Sequence, residues 1–296
     1  MPDRRSAART LLVASRPLSW INTAFPFAAG YFLSTGRIDA ALVIGTVFFL
    51  VPYNLTMYGV NDVFDYESDL ANPRKGGAEG AKLPLALHRT TLWISAVLTA
   101  IFVVALVILG AQRPLSWLVL AISVFAVLAY SVPRLRFKEI PVLDSITSST
   151  HFVTPALYAF ALAGTTITPP LILTMGAFFC WGMASHAFGA VQDIVPDREA
   201  DIGSIATALG AARTVRFAIT LWALAGVLML FAPWPASLAS LAAVPYIAIV
   251  APFARVHDAH SASANRAWRR FLAINYAVGF GVTMLLILCR TEGLFA

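Results

Sequence analysis

Long apolar runs, interrupted at intervals by short polar segments that carry most of the Lys and Arg, fill the chain from Pro17 to Leu288. A bilayer core about 30 Å thick takes about 20 apolar residues per helix. Nine stretches free of Lys and Arg come near that length: Pro17 to Thr35, Ala40 to Val60, Thr91 to Gly110, Pro114 to Val132, Val142 to Ala163, Pro170 to Val191, Phe217 to Ala232, Pro235 to Phe253 and Phe271 to Leu288. The pattern predicts an all-α integral membrane protein with nine transmembrane helices. The seventh is the shortest, with Arg213 and Arg216 ahead of it and an Ala-Pro-Trp-Pro turn at its end.

An odd number of spans puts the two termini on opposite sides. Of the 21 basic residues, 18 then share one side: Arg4, Arg5, Arg9, Arg16, Arg74, Lys75, Lys82, Arg89, Arg134, Arg136, Lys138, Arg198, Arg213, Arg216, Arg255, Arg266, Arg269 and Arg270. Only Arg37, Arg113 and Arg290 fall on the other. Lys and Arg accumulate in cytoplasmic loops, so the expectation is a multi-pass protein of the cell membrane, N-terminus cytoplasmic and C-terminus outside. A basic start before an apolar run also suits a signal peptide. Here the run is long and holds Ser19 and Asn22, so it reads as an uncleaved first span.

Composition agrees with the pattern. The chain has 296 residues, 59% hydrophobic and 12% charged, with a mean hydropathy of +0.76. Soluble domains are roughly a quarter charged, which excludes a soluble enzyme or a disordered linker. The net charge of +6 comes from residues spread between spans, with no basic-aromatic module, so it reads as topology and not as nucleic-acid binding. Cys180 and Cys289 lie in different spans without metal-site spacing, which indicates packing and neither zinc nor a disulfide framework. Residues 1–296 read as a single membrane domain with two sizeable cytoplasmic loops.

Eight of the 15 acidic residues crowd into two windows, Asp62, Asp65, Glu67 and Asp69 in NDVFDYESD and Asp193, Asp197, Glu199 and Asp201 in DIVPDREAD. Both follow a cytoplasm-directed span and so share a membrane face. Asn61, Asp65 and Asp69 step by four, as do Asp193, Asp197 and Asp201, which on a helix stacks each trio along one side. Stacked like charges repel, so a cation should offset them. Carboxylate and amide oxygens suit magnesium, whose shell is usually completed by substrate phosphates. The competing reading is of solvated charges at helix ends. Pro196 within the second window should kink or unwind a helix there.

Cations lie at the same face. PRKGGAEGAK supplies Arg74, Lys75 and Lys82 among glycines, without the order of a Walker A loop. YSVPRLRFK places Tyr130, Arg136 and Lys138 just past the fourth span. Topology alone accounts for such loop cations; beside two acidic windows they favour diphosphate binding.

These motifs resemble the UbiA superfamily of intramembrane prenyltransferases, in which an N-D-x-x-D-x-x-x-D motif follows the second helix and a D-x-x-x-D-x-x-x-D motif the sixth in a nine-helix fold. Asn61, Asp62, Asp65 and Asp69 match the first, Asp193, Asp197 and Asp201 the second, and YSVPRLRFK resembles the element placing Tyr130, Arg136 and Lys138 beside the diphosphate. Within the superfamily, SRPLSWINTAFPFAAGY, PYNLTMYGVNDVFDYESDLANPRKGGAEGA and LDSITSSTHFVTPAL look like the lycopene elongases of C50 carotenoid synthesis. The resemblance implies Mg2+ as cofactor with Asn61, Asp62, Asp65, Asp69, Asp193, Asp197 and Asp201 as its ligands, Asp65, Asp193 and Asp197 as catalytic residues, dimethylallyl diphosphate as donor and a hydrophobic carotenoid, lycopene, as acceptor within the lipid bilayer.

Polar residues inside spans mark pathways. Asn54 and Tyr58, seven and three positions before Asn61 and on roughly its face, are candidates to position substrate, as are His151 and His186, for which hydrogen-bonded packing is the competing role. Asn22 is similarly open. Asp144, at the cytoplasmic start of the fifth span, has pairing with a nearby base as its plain alternative. Three functional alternatives stand beside the elongase reading. A quinone precursor, tetrapyrrole or aromatic acid could be the acceptor, although the spans hold no cation for an aromatic carboxylate. A CDP-alcohol phosphotransferase lacks its D-G-x-x-A-R element here. A divalent-cation transporter would carry its carboxylates nearer the midplane.

Overall fold

The computed structural model describes residues 4–71 and 83–293, except the side chains of residues 4–6, 68, 69 and 71. Among the described residues every regular element is helical: α1 (Arg4–Ala14), α2 (Ile21–Thr35), α3 (Ala40–Leu50), α4 (Pro52–Asn54), α5 (Val60–Phe64), α6 (Tyr66–Ala71), α7 (Leu85–Leu109), α8 (Pro114–Ser131), α9 (Leu143–Ala163), α10 (Pro169–Val191), α11 (Ile194–Glu199), α12 (Ile205–Leu209), α13 (Ala211–Leu230), α14 (Ala243–Val250) and α15 (Asn265–Thr291). A single π-helical turn, Leu55–Gly59, joins α4 to α5.

Among the described residues seven helical stretches are long and apolar enough to cross a membrane: Ala40–Phe64, Leu85–Leu109, Pro114–Ser131, Pro169–Val191, Ala211–Leu230, Ala236–Phe253 and Asp258–Thr291. They overlap seven of the nine expected spans. The first expected span is split. Arg16 adopts a left-handed φ of 51° and a 3₁₀ turn covers Pro17–Ser19, which leaves α2 with 15 residues, about 22 Å at 1.5 Å per residue. The fifth expected span has the length, 21 residues in α9, but too many polar side chains. Asp144, Ser145, Thr147, Ser149, His151 and Thr154 are nonetheless all buried by protein, where a polar membrane helix finds its partners.

Helix ends also depart from the apolar runs. α7 begins six residues before Thr91, and α13 begins six residues before Phe217, directly after Gly210 at φ 78°. Backbone hydrogen bonding carries a helix past the residues that lipid would accept, so Arg213 and Arg216 belong to α13.

The described residues fall into two compact units, one comprising those up to Phe137 with His151–Thr165, the other Lys138–Thr150 with those from Thr166 onward. Lipid tails are as apolar as leucine, so close packing, more than hydrophobic burial, holds membrane helices together. In the first unit the packing is aromatic, with ring centroids 5.3 Å apart for Phe27 and Phe49, 5.1 Å for Phe49 and Tyr53, and 5.8 Å for Phe27 and Tyr158. Gly45 on α3 lies against the Phe27 ring, where a Cβ would overlap it, and the missing side chain lets α2 and α3 close together. The second unit packs α10 along α13 around Trp222, Tyr246 and Phe271, with centroids 5.6 Å apart for Trp222 and Tyr246 and 5.3 Å for Tyr246 and Phe271. Close approach of α9 to α10 there depends on Gly182, beside Ser149, whose hydroxyl donates to the Phe179 carbonyl at 2.7 Å.

Candidate active site

The first acidic window hangs from a helix that is interrupted twice before reaching it. Pro52 has no N–H to continue α3 and would clash with the preceding turn, and α3 ends at Leu50. Asn54, fully buried, then turns its amide back and donates to Thr23 Oγ1 at 2.7 Å and to the carbonyls of Phe49 at 2.7 Å and Leu50 at 3.1 Å. The π turn follows at once. Its i→i+5 bonding rotates everything beyond it, so Asn54 and Asn61 do not share the face that regular 3.6-residue spacing assigns them. Asn54 serves the backbone of its own helix. Tyr58 lies beneath the Arg16 guanidinium, 4.3 Å from its ring centroid.

The helix breaks again inside the window. α5 ends at Phe64, Asp65 takes φ −102° and ψ 8°, and α6 starts at Tyr66. Asn61, Asp65 and Asp69 are therefore not stacked on one continuous helix, contrary to the sequence expectation. A straight ladder would align carboxylates that repel; the break interrupts that alignment, and Asn61, Asp62 and Asp65 each meet a partner. Asn61 Oδ1 accepts from Ser131 Oγ at 2.9 Å. Asp62, with its side chain 0% exposed, is bound by Arg16 at 3.0 Å. Asp65, 9% exposed, faces the Arg136 guanidinium at 3.4 Å. The Asp69 side chain, and Arg74, Lys75 and Lys82 altogether, lie outside the described residues.

Arg136 reaches Asp65 because the loop after α8 bends sharply, with Arg134 at φ 76° and Arg136 at φ 40°. Non-glycine residues rarely adopt that region, and two so close together mark a segment shaped by its contacts. At the end of α8, Tyr130 sets its ring edge-on to His151, centroids 5.2 Å apart. His151 is buried, and its carbonyl accepts from the Tyr53 hydroxyl at 3.4 Å. That hydroxyl accepts from Ser123 at 3.1 Å, and Ser123 in turn accepts from Thr154 at 2.8 Å. Sequence reasoning missed this chain of hydroxyls; polar Ser123 and Thr154 inside apolar runs were the available signal.

In the second unit α10 ends at Val191, Gln192 and Asp193 form a turn, and α11 begins at Ile194. Pro196 would clash with the carbonyl four residues back, that of Gln192, and the helix opens there. The expected unwinding is present, and Asp193, Asp197 and Asp201 likewise form no straight ladder. The Asp197 N–H donates to the Asp193 carbonyl at 2.9 Å, both side chains are half-buried, and Asp201 is exposed with φ 54°. Lys138 lies in the 3₁₀ turn Phe137–Glu139. His186, on α10, brings Nε2 to 3.6 Å from Asp144 Oδ2. Asp144, completely buried, also accepts from the backbone N–H groups of Ile205 at 2.7 Å and Ser145 at 2.6 Å. It thus fixes the start of α12 and pairs with a neighbouring base, as its plainer expectation held.

Among the described residues no three His, Cys, Asp or Glu side chains come together closely enough to hold a metal ion. Each window by itself carries hard oxygen donors of the kind that suit magnesium, Asn61 and Asp65 in the first unit and Asp193 and Asp197 in the second. Arg136, 31% exposed, lies 3.4 Å from Asp65.

Membrane-length helices joined by polar segments that hold acidic residues and arginines define a polytopic membrane protein with charged windows between its spans. The UbiA prenyltransferase family model matches residues 23–277, and the chain belongs to that family. It is 54% identical over 97% of its length to a C50 β-cyclic carotenoid biosynthesis protein, LbtBC, of a Dietzia species, and it spans 66% of that protein. It is 51% identical to the lycopene elongase/hydratase of Corynebacterium glutamicum, covering 94% of this chain and 96% of that one. The corresponding protein of Haloferax volcanii is 35% identical over 93% of this chain and 87% of its own. Among solved structures, a UbiA homolog from Archaeoglobus fulgidus bound to dimethylallyl diphosphate and Mg2+ superposes with a TM-score of 0.65 at 18% identity, over 93% of this chain and 100% of its own. That likeness is one of fold.

Proposed function

We propose that this protein, over residues 1–296 as a single catalytic domain, transfers a dimethylallyl group from dimethylallyl diphosphate to lycopene, with Mg2+ as cofactor, in C50 carotenoid synthesis. The observation that carries the reading is the near end-to-end correspondence, at 51% identity, with a protein named lycopene elongase/hydratase. The acidic windows supply its chemistry. Asn61, Asp65 and Asp69, with Asp193, Asp197 and Asp201, are the proposed oxygen donors; Asp62, expected among them from the motif, is instead assigned to its ion pair with Arg16 because its buried carboxylate lies 3.0 Å from that guanidinium. Bound magnesium supplies Lewis-acid neutralisation of the departing diphosphate. Arg74, Lys75, Lys82, Tyr130, Arg136 and Lys138 are the proposed contacts of phosphate oxygens, through charge-assisted hydrogen bonds.

The donor's allylic C–O bond breaks with its electron pair leaving on diphosphate, and a terminal double bond of lycopene gives its π pair to the new C–C bond. The tertiary cation formed on the acceptor ends by losing a proton or by adding water and then losing a proton. Lycopene has no polar group, so the acceptor site is apolar and open to lipid; aromatic faces there stabilise cationic carbon and exclude water. Nine spans, a cytoplasmic N-terminus and an external C-terminus in the cell membrane complete the proposal, supported by the distribution of Lys and Arg.

Membranes containing the protein and lycopene, given dimethylallyl diphosphate and Mg2+, should form C45 and C50 carotenoids, and the C50 product mass separates hydration from proton loss. Absence of any lycopene product, together with prenylation of a quinone precursor or tetrapyrrole, refutes the acceptor. A C-terminal alkaline phosphatase fusion should be active; an inactive one, with an active C-terminal fluorescent fusion, refutes the orientation.

A further inference from the structure

Arg16 counts among the basic residues expected at the cytoplasmic face, and its placement in the first unit is closely defined. It follows α1 at φ 51° and ψ 72° and directly precedes Pro17. A residue before proline favours the extended region, so a left-handed arginine there is held by its surroundings. Three bonds hold it: Arg16 N–H to the Val13 carbonyl at 3.0 Å, Ser19 N–H to the Arg16 carbonyl at 2.8 Å, and Trp20 Nε1–H to the Ser15 carbonyl at 2.9 Å. The bend turns the guanidinium onto two residues of the π turn and first window. It lies 3.0 Å from Asp62 Oδ1 and 4.3 Å from the Tyr58 ring centroid. A fully buried carboxylate requires a bonded counter-charge, and the flat guanidinium can hold it while stacking on an aromatic face.

We propose that Arg16 is a positioning residue for the prenyl-transfer site: by neutralising Asp62 and clamping Tyr58 it keeps the Asp62 carboxylate out of the metal-binding set and fixes the turn from which Asn61 and Asp65 project. The proposal rests on the function above. Without Arg16 the buried Asp62 charge loses its bonded guanidinium and Tyr58 loses the cation stacked on its ring, so the turn that carries Asn61 and Asp65 is less firmly held. Arg16 thus acts through Asp62 and does not touch the diphosphate.

The test uses full-length protein in detergent micelles, with binding of dimethylallyl S-thiolodiphosphate measured across a Mg2+ titration, so that no acceptor is involved. R16Q should weaken analogue binding about tenfold or more, because the buried Asp62 charge loses the guanidinium bonded to it. R16Q/D62N should bind within about twofold of D62N, because the charge that Arg16 holds is already absent. R16K should lie between wild type and R16Q. If R16Q does not accumulate in the membrane, R16K in the wild-type and D62N backgrounds completes the same cycle, with the loss expected only in the former. Losses that multiply in the double variant, as for direct phosphate contact, overturn the proposal while leaving the function intact; so does R16Q binding like wild type. A wild-type protein that fails to bind the analogue with Mg2+ removes both.

Discussion

Replacing Asn54 with leucine separates a structural role from a substrate-binding one at a position where the sequence allowed either. The side chain is 0% exposed, and its Nδ2 lies within hydrogen-bond range of Thr23 Oγ1, the Phe49 carbonyl and the Leu50 carbonyl. Two amide hydrogens serve three acceptors. Leucine keeps most of the volume and removes both donors. The Phe49 carbonyl retains the Thr23 hydroxyl at 2.7 Å, while the partly buried Leu50 carbonyl loses the Asn54 amide. Side-chain hydrogen bonds within membrane bundles average about 0.6 kcal/mol each. A fully buried acceptor left unsatisfied would add about 1–3 kcal/mol, which sets the upper bound here. The predicted loss for N54L is thus about 1 kcal/mol at least and about 4 kcal/mol at most. It can be measured by SDS titration of the protein in mixed micelles, and because the bonds are shared, T23V/N54L should lose less than the sum of the single variants. Transfer activity should fall in step, since the π turn that aims Asn61 loses its anchor. An N54L protein as stable as wild type, with only a raised KM for donor or acceptor, would falsify this account and return Asn54 to substrate binding.

Three further outcomes are expected. D65A and D193A should each lower turnover by about 100-fold or more, the scale of losing a group that stabilises transition-state charge, while both proteins remain in the membrane fraction; substantial retained activity in either contradicts the metal assignment. S131A removes the donor to Asn61 Oδ1 and should raise the Mg2+ concentration for half-maximal activity several-fold with less than about 1 kcal/mol lost in stability, whereas an unchanged Mg2+ profile argues that Asn61 does not ligate. G45V forces a branched side chain against Phe27, which is itself confined by Phe49 and Tyr158; overpacking of this kind costs about 1–3 kcal/mol, to be read as a lower midpoint in thermal inactivation.

Much of the architecture was legible because hydropathy reports directly on lipid. Seven membrane-length helices fall on expected runs, and the acidic windows could be recognised by composition alone. What hydropathy does not encode is where a backbone departs from regular helix. Spacing by four assumes an uninterrupted α-helix, and here Pro52, the π turn at Leu55–Gly59, the break at Asp65 and the turn at Gln192 and Asp193 all intervene. Pro196 announced one of these. The π turn had no such marker, because it depends on Asn54 meeting Thr23 from another helix. Likewise α9 looks like a span too polar for lipid until burial of Asp144, Ser149 and His151 is seen.

The charge pattern has a second meaning that counting along the chain conceals. Arg16, Arg136 and Arg198 all add to the cytoplasmic tally, yet each holds a carboxylate, those of Asp62 at 3.0 Å, Asp65 at 3.4 Å and Asp258 at 2.7 Å. Asp258 also accepts from the Ala211 N–H at 2.7 Å, so its pairing with Arg198 fixes the start of α13, whereas the pairs at Asp62 and Asp65 restrain the first window. Under the proposed orientation, cations that favour the cytoplasmic face also neutralise the buried acids Asp62 and Asp65. Topology and site chemistry therefore share residues. A substitution at Arg16 or Arg136 should be scored for orientation and for donor binding separately, because a loss of activity alone does not distinguish them.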